Sequence, residues 1–158
     1  VGRYPDNVVR AMGRICEHAE QQRAALISDH RVDLTFGRVD EAIAMATMYT
    51  AHHLDVCAIA SLTESGATVL WMSRISSGIP VYALSRNEQT RRKVTLYRGV
   101  YPIKFDLDKL GPEPISNGVV ALLLERGIAK TGDRVIVTRG DMLGGEGGGS
   151  NAMKIVDI

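Results

Sequence analysis

The chain reads as an α/β protein: three αβα layers around a mostly parallel five-stranded sheet whose final strand is antiparallel. Three observations carry this. Near-continuous apolar runs at residues 56–62 and 134–138 suit strands covered on both faces of a parallel sheet. Such runs alternate with segments whose apolar residues recur at helical spacing, the order expected of βα units. The last apolar run, residues 154–158, follows a stretch with six glycines between Gly140 and Gly149, so a long hairpin is expected to join the last two strands.

The 158 residues are 45% hydrophobic and 23% charged, an ordinary globular composition with enough apolar material for one good core. A formal net charge of +1 points to neither nucleic acid nor a membrane as partner. No apolar run approaches the roughly 20 residues a membrane helix needs, and a signal peptide before the first element is not expected. Cys16 and Cys57 sit in apolar patterns without metal-ligand spacing. They are expected to be reduced, buried thiols of a cytoplasmic protein, with a disulfide between them as the lesser alternative. The chain opens at Val1 without Met, and a piece of something larger is expected.

In chain order, Gly2 to Pro5 reads as a turn and Asp6 or Asn7 as the cap of a helix carrying Val8, Val9, Met12, Ile15, Cys16 and Ala19. Residues 21–37 read as a linker, with an extended piece at Val32, Leu34 and Phe36. Asp40 repeats the capping cue before Ala42, Ile43, Met45, Ala46 and Tyr49, and His52 and His53 at the helix end suit its dipole better than a metal. A strand over 56–62 leads into a helix with Val69, Leu70, Met72 and Ile75, stopped by Ser77 and Gly78. Residues 80–84 read as the next strand, Ser85-Arg86-Asn87-Glu88 as a capping box, and Val94 and Leu96 as helical. Pro102 places the strand at 100–105 toward an edge. After a polar loop at 106–114 come a helix over 115–126, a turn at Thr131-Gly132-Asp133, and the strand at 134–138.

The stretch that organises the rest is Leu62-Thr63-Glu64-Ser65-Gly66-Ala67-Thr68. An apolar strand ends there and a helix begins, so unpaired backbone N–H groups and the positive end of the helix dipole suit an anion such as a phosphate ester. Thr63, Ser65 and Thr68 add hydroxyl donors, and Gly66 would let a ligand approach the backbone closely. An ordinary N-capping turn would use the same residues. Polar residues also follow the strand ends at Ser85 and Thr138, which right-handed crossovers bring to one edge of a parallel sheet. Arg86 is near enough to that edge to reach a phosphate, while Arg91, Arg92 and Lys93 read as a solvated helix face.

These residues carry a family resemblance. The stretch 62–68, Ser73-Arg74, Leu84-Ser85-Arg86-Asn87, Leu96-Tyr97-Arg98-Gly99-Val100, Lys130-Thr131-Gly132-Asp133 and the glycine-rich loop closing at Ser150-Asn151 resemble the C-terminal domain of pyruvate kinase, in the family's order. Val1-Gly2-Arg3-Tyr4-Pro5 and the helix after it resemble the end of that family's barrel domain. The resemblance implies a last barrel helix and linker over 1–37 and the C-terminal domain over 38–158. In the family, phosphoryl transfer from phosphoenolpyruvate to ADP, giving pyruvate and ATP, uses residues of the barrel with Mg²⁺ and K⁺. No catalytic residue and no metal ligand is therefore carried over to this chain, although the whole protein is expected to be an enzyme.

What the resemblance does assign is a binding role for a phosphorylated effector. It falls on Thr63, Glu64, Ser65, Gly66, Ala67 and Thr68, with Arg86, and on Arg139, Gly140, Asp141 and Ser150 of the glycine-rich loop. Some members carry Lys where Glu64 stands, and a carboxylate there would repel a phosphate by on the order of 1 kcal/mol. Residues 106–116 offer only Lys109 for a second phosphate. A sugar monophosphate or AMP is accordingly expected over fructose 1,6-bisphosphate. A homotetramer is the implied assembly. A stand-alone phosphate-ligand module and a purely structural assembly domain are the alternatives, and the apolar stripe of the first helix weighs against a free-standing module.

Overall fold

β-Branched and small apolar residues alternate faces along each strand, and the two helix layers follow from which face each set occupies. The computed structural model describes residues 2–23, 35–75, 77–107, 114–140 and 149–158. The elements in order are α1 (Pro5–Arg23), α2 (Val39–His53), β1 (Ala58–Leu62), α3 (Ala67–Ser73), β2 (Val81–Ser85), α4 (Glu88–Val94), β3 (Val100–Lys104), α5 (Ile115–Glu125), β4 (Arg134–Arg139) and β5 (Ala152–Asp157). Two compact units emerge, one holding α1 and the other holding 35–75 and 79–158.

In the larger unit the strand order is β3-β2-β1-β4-β5. The first four strands are parallel, with Ile59 opposite Val81 on one side of β1 and Ile136 on the other. β5 is antiparallel to β4, from Arg134 opposite Asp157 to Arg139 opposite Ala152. This is the mostly parallel five-stranded sheet with an antiparallel last strand that the sequence pattern predicts, and Pro102 does lie on an edge strand, where the missing N–H costs no ladder bond.

Two apolar clusters show why helices cover both faces. On one, Ile59, Val81, Ala83, Val100 and Ile136 meet Ala44, Met48 and Ala51 of α2, Val69 and Met72 of α3, and Val94 of α4. On the other, Ala58, Ala60, Leu62, Leu84, Val135 and Val137 meet Val119 and Leu123 of α5. β1 is buried along its whole length, and its alanines let the backbone sit close beneath α5. Trp71 packs at the edge of the first cluster, with the Arg74 guanidinium 4.5 Å above its ring.

Several boundaries differ from the sequence pattern for identifiable reasons. α1 starts at Pro5, so Asp6 lies in its first turn rather than capping it; proline suits a first helical position because its missing N–H has no partner there anyway. The helix also runs through Arg23, taking in residues expected to be linker. Val8, Val9, Met12 and Ile15 form an exposed apolar stripe on α1, and Cys16 is exposed rather than buried. Both cysteines are free. Arg38, not Asp40, is the N-cap of α2. The capping box at Ser85 is replaced by an Asn87 cap, whose side chain accepts from Gln89 N and Thr90 N, while Ser85 ends β2 and its Oγ accepts from Asn87 N. The extended piece at Val32 and Leu34 and the loop at 108–113 lie outside the described residues.

Replacing Asn87 by Ala removes two acceptor contacts from the start of α4 and should cost about 1 kcal/mol. Urea unfolding should show a lower midpoint at unchanged slope.

Candidate functional site

Where β1 ends, the chain makes one more ladder bond, Thr63 N to Leu84 O at 3.0 Å, and then turns. The buried Thr63 Oγ1 accepts from Gly66 N at 2.9 Å, and Ser65 Oγ accepts from Ala67 N at 3.4 Å, so two of the N–H groups at the start of α3 are already partnered by the turn's own hydroxyls. Gly66 adopts φ 80°, a left-handed conformation that costs glycine nothing. A Cβ there would lie 2.9 Å from Val94 Cγ1. Glycine at this position thus serves close packing of the turn on α4, where the sequence suggested an open approach for a ligand.

Helix α4 holds the turn through its backbone carbonyls. Thr90 Oγ1 donates to Glu64 O, and Lys93 Nζ donates to Ser65 O at 3.3 Å. Lys93, which the sequence assigned to a solvated face, therefore brings a cation to the turn. Thr90 and Lys93 are three residues apart and so share one side of the helix, but no sequence signal says that this side meets the turn. Arg86 Nε lies 3.5 Å from Glu64 Oε1, an exposed pair that partly offsets the carboxylate beside the turn. Arg91 donates to Ser85 O and Arg86 O at 3.0 and 2.7 Å, fixing the end of β2.

The other side of the turn meets the far end of the glycine-rich connection. Thr68 Oγ1 donates to Ser150 Oγ at 2.9 Å and accepts from Ser150 N at 3.3 Å, and both residues are buried. Between the strands beneath them Thr138 Oγ1 donates to Ser61 Oγ at 2.9 Å. Asn151 N donates to Arg139 O, so the β4–β5 ladder closes right up to Gly140. A Cβ on Gly140 would lie 2.6 Å from Gly149 O; the two ends of the connection are pinched together there. Strand alternation puts Arg139 on the α5 face with Val135 and Val137, opposite to Thr138 and so away from the Thr68–Ser150 pair. Asp141 lies outside the described residues.

Asp40 is a buried acid that the sequence read only as a cap. It is 4% exposed, in the first turn of α2, and Arg38 grips it through Nε and Nη2 at 2.8 and 2.9 Å. The hydrogen bonds from Arg38 hold its carboxyl below the ordinary range, against the opposing pull of burial. Elsewhere, burial and the nearby Asp133 carboxylate push the Cys57 thiol up, which leaves it protonated and unreactive at neutral pH. Burial, with Tyr101 alongside, likewise raises Tyr82. Among the described residues no group of three or more His, Cys, Asp and Glu could hold a metal, and no helix is long and apolar enough to cross a membrane.

A family model described as pyruvate kinase, alpha/beta domain, matches residues 41–156, which span nearly all of the sheet unit. The chain belongs to the pyruvate kinase alpha/beta-domain family. Among relatives, the chain is 44% identical to pyruvate kinase II of Salmonella typhimurium, with 99% of this chain and 32% of that protein aligned. It is 42% identical to the pyruvate kinase of Buchnera aphidicola subsp. Schizaphis graminum, again over 99% of this chain and 32% of the relative. A Staphylococcus aureus pyruvate kinase is 33% identical over 98% of this chain and 26% of its own length. The chain thus spans about a third of the length of the Salmonella and Buchnera relatives, and in this pyruvate kinase domain the turn at 63–68 lies within the family match.

Two outcomes follow from the geometry. Gly66→Ala meets both the left-handed φ and Val94, and should cost about 1–3 kcal/mol in chemical denaturation. Asp40 has a folded pKa below its unfolded one, so its contribution to stability is complete above the unfolded value and is lost as pH falls through the folded value. Asp40→Asn should therefore lower Tm at pH 7 and converge with the parent chain under strongly acidic conditions, as followed by circular dichroism.

Proposed function

We propose that this chain is the regulatory domain of a pyruvate kinase and that residues 63–68 bind the phosphate of a small effector. The observation that carries this reading is the paired Thr68 and Ser150: two hydroxyls 82 residues apart in sequence converge beside the start of α3, at the carboxyl ends of parallel strands where open α/β sheets bind ligands. Thr63 and Ser65 supply further hydroxyls, and Lys93 and Arg86 supply positive charge next to the turn. Glu64 disfavours a heavily charged ligand, so a sugar monophosphate or AMP is the proposed class over fructose 1,6-bisphosphate. Gly140 and Ser150 contribute from the β4–β5 connection, and Ala67 from the first turn of α3.

In this proposal residues 1–37 are the last barrel helix and linker, and 38–158 are the regulatory domain. The whole protein is a cytoplasmic glycolytic phosphotransferase that makes pyruvate and ATP with Mg²⁺ and K⁺ on residues beyond this chain. Effector binding would bias a homotetramer between packing states, which requires unequal affinity for the two. A second reading, an assembly domain without sensing, is favoured by one observation: β5 is an edge strand whose outward side chains include an Ile155 that is 41% exposed.

A thermal-shift titration of the chain with AMP, ribose 5-phosphate, glucose 6-phosphate and fructose 1,6-bisphosphate separates these readings. A monophosphate at 100 times its Kd should stabilise the fold by about 2.7 kcal/mol, and Ser65→Glu should abolish the shift. Retention of the shift in that variant would overturn the site, and native mass spectrometry would then test the assembly reading.

A further inference from the structure

Asp40 is difficult to account for as a packing residue. It sits on the same stripe of α2 as Ala44, Met48 and Ala51, the stripe that faces the sheet, and is nearly as buried as they are. A carboxylate taken out of water is costly unless paired, and an alanine would fill such a position without that cost. Nor is it the N-cap residue of the helix, which is Arg38.

What Asp40 touches is the end of the glycine-rich connection. A Cβ built on Gly149 would lie 3.1 Å from Asp40 Cβ, 3.4 Å from Cγ and 3.5 Å from Oδ2. Gly149 therefore lies against the Asp40 side chain, and a side chain at this position would crowd Asp40 unless it gave way by a few tenths of an ångström. The next residue, Ser150, is 2% exposed and binds Thr68 through both its N–H and its hydroxyl. Arg38 holds the Asp40 carboxylate with two parallel bonds, which fix its rotation as well as its charge.

We propose that Asp40, oriented by Arg38, is a positioning residue: it seats Gly149 and thereby registers Ser150 against Thr68. The placement of Ser150 needs no ligand, while its consequence for effector binding rests on the reading of residues 63–68 given above. Asp40 does not itself touch the hydroxyl pair.

The test is amide hydrogen exchange by NMR on the full chain without ligand, comparing Asp40→Asn and, as a milder change at an exposed residue, Arg38→Gln. Exchange at Ser150 and Asn151 should accelerate about tenfold, while Gln89 and Thr90, capped by Asn87 on the other side of the turn, keep their rates. Unchanged exchange at Ser150 in both variants would overturn the proposal, as would equal acceleration at all four amides, which signals only general loosening. Calorimetric titration with ribose 5-phosphate completes it. Weaker binding to both variants, measured at a temperature where each is fully folded, extends the seat to the ligand site. Local acceleration in a chain whose parent form binds none of AMP, ribose 5-phosphate, glucose 6-phosphate and fructose 1,6-bisphosphate supports the seat and overturns the effector reading alone.

Discussion

A strand with neighbours on both sides and helices on both faces leaves no room for water, so whatever polar groups stand at its end must be satisfied inside the protein. β1 is in that situation, between β2 and β4 and beneath two helix layers. The hydroxyls of Ser61, Thr63 and Thr68 answer it with partners on β4, on the turn, and on the far end of the β4–β5 connection. Each bond is modest in isolation, but leaving any of these groups unpaired would cost a desolvation penalty of about 1–3 kcal/mol. The turn, the start of α3 and the entry to β5 are mutually fixed by that requirement.

The same constraint gives the turn two unlike flanks. On one, α4 clamps the carbonyls of Glu64 and Ser65 and fills the space beside Gly66. On the other, the described contacts are small hydroxyls and glycine backbone, beside the buried Asp40 carboxylate that the exposed Arg38 holds at the start of α2. The α4 flank combines packed side chains with hydrogen bonds to the turn's carbonyls, whereas the opposite flank is held by the hydrogen bonds between Thr68 and Ser150.

Much of this was legible in the residues. The apolar runs of β1 and β4 and the proline in β3 give the sheet and one of its edges, because burial on both faces and a missing N–H leave unambiguous marks. The hydroxyls of the 63–68 turn were visible for the same reason: Ser, Thr and Gly gather where a strand becomes a helix. Three features were not. Gly66 looks like a glycine kept for a ligand, and only the position of Val94 shows the packing reason. Lys93 belongs to a run of basic residues indistinguishable from a solvated face until α4 is set against the turn. Asp40 has the sequence context of a cap, and its burial under Gly149 depends on a contact more than a hundred residues away in the chain. Each is a tertiary juxtaposition that leaves no local periodicity.

The strand order has a further consequence, for synthesis on the ribosome. β2 and β3 follow β1 closely, but the strand on its other side arrives only with β4, since Ala58 pairs with Val135. At typical elongation rates the intervening residues take roughly 4–15 s to emerge. During that interval the most apolar strand of the sheet presents an open edge, and β4 must reach it ahead of any neighbouring nascent chain.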